Sequence, residues 1–206
     1  MIYRVEKKPN WLIDLPDNLL NDENYIKIYD FFVIHSVVDG ISARGRDLLY
    51  DYGWSNPWKK PYYLNKQLKT LTTDKYLLFS AQVYEQKKDS KQKELMDKAL
   101  DKANMKIFPQ YTKEKICIYD SKKNQILSTF AHIRNSITHC RFNVVDSEGT
   151  RVYCFEDIDT KRMPEGKHKV SARIVLFEKT LIDWIDLIKR GESIYSIKDK
   201  GSNLEI

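Results

Sequence analysis

Two apolar rhythms divide this chain, and the change between them falls near residue 143. Before it, apolar side chains recur at three- and four-residue steps, the spacing of a helix face. After it, Val170, Ala172, Ile174 and Leu176 alternate with Lys169, Ser171 and Arg173, the spacing of a half-buried strand. With most of its length in the first rhythm, the chain is expected to fold as a mainly α protein. The expected form is a helical bundle with a small C-terminal β-hairpin and a final amphipathic helix.

One domain is expected over residues 1–206. Residues 1–21 read as an irregular segment, broken by Pro9 and Pro16, that packs through Trp11. Residues 22–142 read as the bundle. Its first helix covers about 22–38 through Ile26, Tyr29, Val33 and Val37, and a second piece, about 42–51, turns Leu48 and Leu49 inward. A further helix starts near Asp74 with Leu77, Ala81 and Tyr84 as its stripe. The mixed-charge tract 85–106 keeps Leu95, Ala99 and Ala103 in helical phase and reads as a solvated helix. Residues 107–120 are open between extended and helical. Residues 143–190 read as the hairpin, with a turn at 146–149 and a basic loop holding Lys161, Arg162, Lys167 and Lys169, then a helix over 178–190 carried by Leu181, Trp184, Ile185 and Ile188. Gly191 ends that helix, and 191–206 is a tail.

Apolar residues are 42% of the chain and charged residues 31%, the balance of a globular chain rather than a disordered one. No apolar run reaches membrane-spanning length and no secretory leader pattern opens the sequence, so a cytoplasmic protein is expected, with no membrane partner. Cys117, Cys140 and Cys154 stand far apart, without a metal-ligand spacing, and are expected to be buried thiols. No metal and no cofactor are expected. The net charge of +6 tolerates a nucleic-acid partner without requiring one.

The helix expected over 121–142 carries the chemistry. At about 100° per residue, Ile126, Phe130, Ile133, Ile137 and Cys140 share one face, and Ser128, His132, Asn135 and His139 share the opposite one, with Arg134 on the flank. A guanidinium presents a planar fork of donors to phosphate oxygens, and an imidazole can move protons near neutral pH. RNA brings its own nucleophile, the 2′-hydroxyl, so these groups suffice in kind for cleavage without a metal ion. A polar helix face open to solvent is the plain alternative.

Arg134-Asn135-Ser136-Ile137-Thr138-His139 has the form Arg, a polar residue, three more residues, then His. The longer phrase His-Ile-Arg-Asn-Ser-Ile-Thr-His-Cys-Arg-Phe, residues 132–142, resembles that of stand-alone bacterial and plasmid members of the HEPN superfamily. The resemblance covers roughly 121–142. It implies a helical bundle that pairs as a homodimer, with Arg and His of both copies facing one cleft. It further implies a metal-independent endoribonuclease, acting as a toxin or phage-defence effector, with an antitoxin or defence-system partner. Carried over, the catalytic residues are Arg134, Asn135 and His139. Toxins of the group that are silenced by nucleotidylation have Tyr two places after the motif His; here it is Arg141, so that control is not expected. The superfamily also has inactive members that bind RNA, a nucleotide or a protein partner, and that alternative stays open.

Residues 52–73 hold Lys59, Lys60, Lys66 and Lys69 without an acidic residue, interleaved with Tyr52, Trp54, Trp58, Tyr62 and Tyr63. Lysines over phosphates and aromatics under bases hold single-stranded RNA. Lys59, Lys60 and Trp58, with His132 and Arg141, are therefore the expected substrate-binding residues. The competing expectation is that the aromatics close a core while the lysines meet water.

Overall fold

The computed structural model describes residues 4–38, 42–59, 64–72, 77–82, 90–120, 124–159 and 167–192. In chain order its elements are β1 (Arg4–Glu6), α1 (Glu23–Tyr29), α2 (Leu64–Thr70), β2 (Leu77–Gln82), α3 (Ser90–Lys102), β3 (Lys115–Asp120), α4 (Gln125–Thr138), β4 (Phe142–Ser147), β5 (Thr150–Asp159), β6 (Lys167–Phe177) and α5 (Glu178–Arg190). Six strands form one sheet in the order β2-β3-β6-β5-β4, with β1 beside the start of β6. β2 and β3 are parallel, with α3 lying between them in the chain, and the other pairs are antiparallel.

The protein is thus an α/β mix, and the expectation of a mainly α helical bundle is corrected. An amphipathic stripe says that one face of a helix is covered, not whether a helix or a sheet covers it. Here Ile126, Phe130, Ile133 and Ile137 of α4, and Leu181, Trp184, Ile185 and Ile188 of α5, share a core with Phe142, Val144, Tyr153, Phe155, Ile174 and Leu176 of the sheet. The strand pleat sends alternate residues the other way. Val152, Cys154 and Val175 enter a second core with Met96 and Leu100 of α3, Trp11 and Phe108. Trp11 meets Phe108 edge-on at 4.7 Å between ring centroids.

Several local expectations change with the fold. The stretch from Leu77, read as helix, is the strand β2, and 116–119 is extended within β3. Residues 42–51 form turns, burying Leu48 and exposing Leu49. Asp22 caps α1, its carboxylate accepting from the Tyr25 N–H at 2.9 Å. It passes into a π-helical turn, Asp30–Ile34, closed by the His35 N–H donating to the Asp30 carbonyl at 2.7 Å. One extra residue in a turn rotates the side chains beyond it about the helix axis. Tyr25, Ile28, Phe31, Phe32 and Val33 are buried, and so is Val37 beyond the turn, while Ile26 and Tyr29, expected inside and lying before the turn, are 51% and 39% exposed. Lys161 and Arg162 of the expected basic loop lie outside the described residues.

Of the segment expected as one helix over 121–142, the described part, 124–142, holds α4 and the first residue of β4. Asn124 starts α4, its side-chain oxygen accepting from the N–H groups of Ile126 at 3.0 Å and Leu127 at 3.2 Å. Thr138 is the last helical residue, His139 is the C-cap, and Cys140 is left-handed at φ 52°. Cys140 is therefore exposed instead of continuing the buried stripe.

Candidate functional site

The polar side of α4 faces the sheet. Ser128 and Ser136 are buried there, and Ser136 Oγ donates back to the His132 carbonyl at 2.8 Å. His132 is held at both ring nitrogens: Nδ1 lies 2.7 Å from Asp157 Oδ2 and Nε2 lies 3.0 Å from the Tyr119 carbonyl oxygen. With both ring nitrogens engaged, His132 is a clamp between α4, β3 and β5.

Asn135 lies one turn further along. Its Nδ2 donates to Asp157 Oδ2 at 3.2 Å, and its Oδ1 accepts from Arg134 Nη1 at 3.3 Å. Asp157 is 5% exposed, and its second oxygen accepts from the Ile158 N–H at 2.9 Å. Arg134 is half-buried and His139 is exposed. The backbone N–H of His139 donates to the Asn135 carbonyl at 3.0 Å, so helix geometry still fixes its Cα. Its imidazole has no hydrogen-bond partner among the described residues. Arg134, Asn135 and His139 thus share the C-terminal end of α4, whereas His132 belongs to its supports.

The other expected binding residues stand elsewhere. Arg141 points into the molecule at 4% exposure, paired with Glu156 and donating to the Lys7 carbonyl at 2.6 Å. Glu156 also takes Arg173 Nε at 2.9 Å, and Arg173 Nη1 donates to the carbonyls of Met105 at 2.7 Å and Lys106 at 2.6 Å. This Arg–Glu–Arg cluster ties the N-terminal segment and the 105–106 loop to the sheet, so Arg141 is an anchor, turned away from any ligand in solvent. Trp58 is partly buried against the main core, and Trp54 is wholly buried, its Nε1 donating to the Ile188 carbonyl at 3.0 Å. Both aromatics thus help to close the core. Lys59, Lys66 and Lys69 are exposed. Lys60, Tyr62 and Tyr63 lie outside the described residues.

Sequence reasoning passed over Asp157. A signal was present: Glu156 and Asp157 are consecutive acids following the apolar run 152–155. A pleated strand turns neighbours to opposite faces, and each buried acid needs a partner there. Glu156 finds its arginines on one face; Asp157 finds His132 and Asn135 on the other. Among the described residues no three His, Cys, Asp or Glu side chains come together as a metal-binding set, and no helix is long and apolar enough to cross a membrane. Comparison with known family models, with curated proteins and with solved structures gave no match to this chain.

Proposed function

We propose that this protein binds RNA and cuts it without a metal ion, with Arg134 and His139 as the reacting side chains. The observation that supports this most directly is the end of α4. There a half-buried guanidinium is bonded to Asn135, and five residues on, at the helix C-cap, an imidazole is open to solvent. The reading rests on that spacing and chemistry, together with the resemblance of 132–142, and does not depend on a helical bundle.

In the proposed reaction His139 takes the proton of the 2′-hydroxyl, whose oxygen bonds to phosphorus as the bond from phosphorus to the 5′-oxygen breaks. Arg134 donates to the non-bridging oxygens, where negative charge develops. The 5′-oxygen leaves with a proton from a second imidazole, giving a 2′,3′-cyclic phosphate and a free 5′-hydroxyl. The end of α4 offers one open imidazole, so we include in the proposal a homodimer that brings a second copy through a two-fold interface. In a cell such an activity would serve as a toxin or defence effector, checked by an antitoxin or defence-system partner.

Cleavage of an RNA oligonucleotide by wild type and by His139→Ala, with and without chelator, tests this. His139→Ala should lower the rate on the order of 10²–10⁴-fold, and chelator should leave the wild type unchanged. Complete loss with chelator, restored by magnesium, would overturn the mechanism.

A second reading is binding without cleavage. It is favoured by one observation: no described group orients the His139 ring, whereas catalytic bases are commonly oriented by a third group. RNA affinity that depends on Arg134, in a protein that leaves RNA intact, would select it.

A further inference from the structure

The Asn135 amide has two ends of similar shape and opposite hydrogen-bonding sense. One end meets Asp157 Oδ2 and the other meets Arg134 Nη1. A carboxylate accepts, so the amide must turn its NH2 toward β5. Its oxygen is then left facing the guanidinium, which can only donate. The flipped amide would set oxygen against carboxylate and NH2 against guanidinium, two repulsive contacts in place of two bonds.

The carboxylate that makes this choice is itself held from several sides. Oδ1 takes the Ile158 N–H, and Oδ2 also takes His132 Nδ1, whose ring is pinned at its far nitrogen by the Tyr119 carbonyl. The pairing of β5 with β6 shifts register between Asp157 and Ile158, where Ser171 is the extra residue of β6. At this irregular point the strand presents an acid to α4 at 5% exposure, where the alternation would otherwise place another apolar side chain.

We propose that Asp157 is a positioning residue that, through the Asn135 amide, sets the direction in which the Arg134 guanidinium meets a phosphate group. This rests on the RNA reading above for the identity of the ligand, but the chain Asp157–Asn135–Arg134 can be tested without it. Asp157 touches no substrate. It fixes the amide, and the amide fixes the arginine. Asp157→Asn breaks the chain, because an amide at this place cannot accept at both of its ends. Either the Ile158 N–H or the Asn135 and His132 donors then face another donor.

The test has two arms. In the first, a short 2′-O-methyl RNA oligonucleotide, which binds but lacks the attacking hydroxyl, is titrated against four proteins: wild type, Asp157→Asn, Arg134→Ala and the double variant. Asp157→Asn should weaken binding about tenfold, the scale of one oriented charge-assisted contact. In the Arg134→Ala background it should cost nothing more, because its effect passes through that arginine. An equal penalty in both backgrounds is what a merely structural acid would give, and it would overturn the proposal.

In the second arm, ¹H–¹⁵N spectra follow the Asn135 side-chain amide and Arg134 Nε without ligand. Asp157→Asn should move both signals, and in an Asn135→Ala background the Arg134 signal should no longer respond to position 157. An Arg134 signal indifferent to Asp157→Asn in an otherwise wild-type chain would overturn the proposal whatever RNA does. Should Asp157→Asn fail to fold, Asn135→Asp sets two carboxylates across the same 3.2 Å contact. It should displace the Arg134 signal, and an unmoved signal would again be fatal. Failure of the RNA reading looks different: the spectra respond as expected while wild type ignores the oligonucleotide.

Discussion

The three cysteines differ in what surrounds each thiol. Cys117 and Cys154 alternate into the second core, where burial pushes the Cys117 thiol up to about 12 and raises Cys154 as well. Both stay protonated and enclosed at neutral pH, and the thiolate is the reacting form. Cys140 sits exposed in the left-handed turn that ends α4. A thiol reagent such as dithionitrobenzoate should therefore modify one thiol per chain in native protein and three in denaturant. Equal reaction of all three under native conditions would contradict the burial of β3 and β5. A second residue-scale expectation concerns Asp22. The Arg151 guanidinium, 2.5 Å away, holds its carboxyl below the ordinary value of 3.8, helped by the Tyr25 N–H. A carboxyl lowered on folding contributes stability that is fully present above its unfolded value and is lost as pH falls through the folded one. Urea unfolding should thus show a loss of stability as pH drops below 3.8, and Asp22→Asn, which keeps the cap acceptor but not the charge, should flatten that part of the curve.

At the scale of elements, the glycine that closes α5 shows how tightly one residue can be specified. Gly191 has φ 69°, and a Cβ there would stand 2.2 Å from the Tyr52 carbonyl oxygen. Backbone against backbone leaves no rotamer to relieve the clash, so Gly191→Ala should destabilise by about 1–3 kcal/mol. Gly149, at φ 78° with nothing within 4 Å of its Cβ position, should lose only about 1 kcal/mol on the same change. Denaturant melts compare the two, and an equal loss would mean the Tyr52 contact is not felt. α5 was also the element most legible in the sequence: its apolar stripe, bounds and closing glycine all appear as read. The pairing of β5 with β6 was legible too, through the strand-forming residues of 151–156 and the alternation of 170–176. β2 was not, because Leu77, Ala81 and Tyr84 also fit a helical step and a six-residue strand is too short to arbitrate. β4 was hidden by the continuous look of 121–142. The break there is a backbone event at Cys140, a residue type that does not announce a left-handed turn. In the site, Arg134, Asn135 and His139 were legible by type and spacing, while Asp157 was not, since a strand acid shows its partner only once the sheet sets it under α4.

For the whole molecule, the sheet decides what the polar face of α4 can do. In a bundle that face would look outward or toward a second copy. Here β3 and β5 lie beneath it, and Tyr119 and Asp157 occupy the His132 and Asn135 positions that a ligand would otherwise meet. What remains open is the end of the helix, with His139 exposed and Arg134 half-buried. The proposed chemistry is thereby confined to one corner of the molecule, and a two-fold partner would have to meet it there. The exposed Lys59, Lys66 and Lys69 supply positive surface, while Trp54 and Trp58, just before them in the chain, pack against the main core. The central claim is that this corner cuts RNA through its own 2′-hydroxyl, with His139 moving the proton. The most direct measurement is the chemistry of the ends left on a single-stranded RNA incubated with the protein in the presence of chelator. A 2′,3′-cyclic phosphate with a free 5′-hydroxyl, formed by wild type and lost in His139→Ala, is the predicted result. Ends bearing a 5′-phosphate and a 3′-hydroxyl, or cleavage undiminished by His139→Ala, would contradict it.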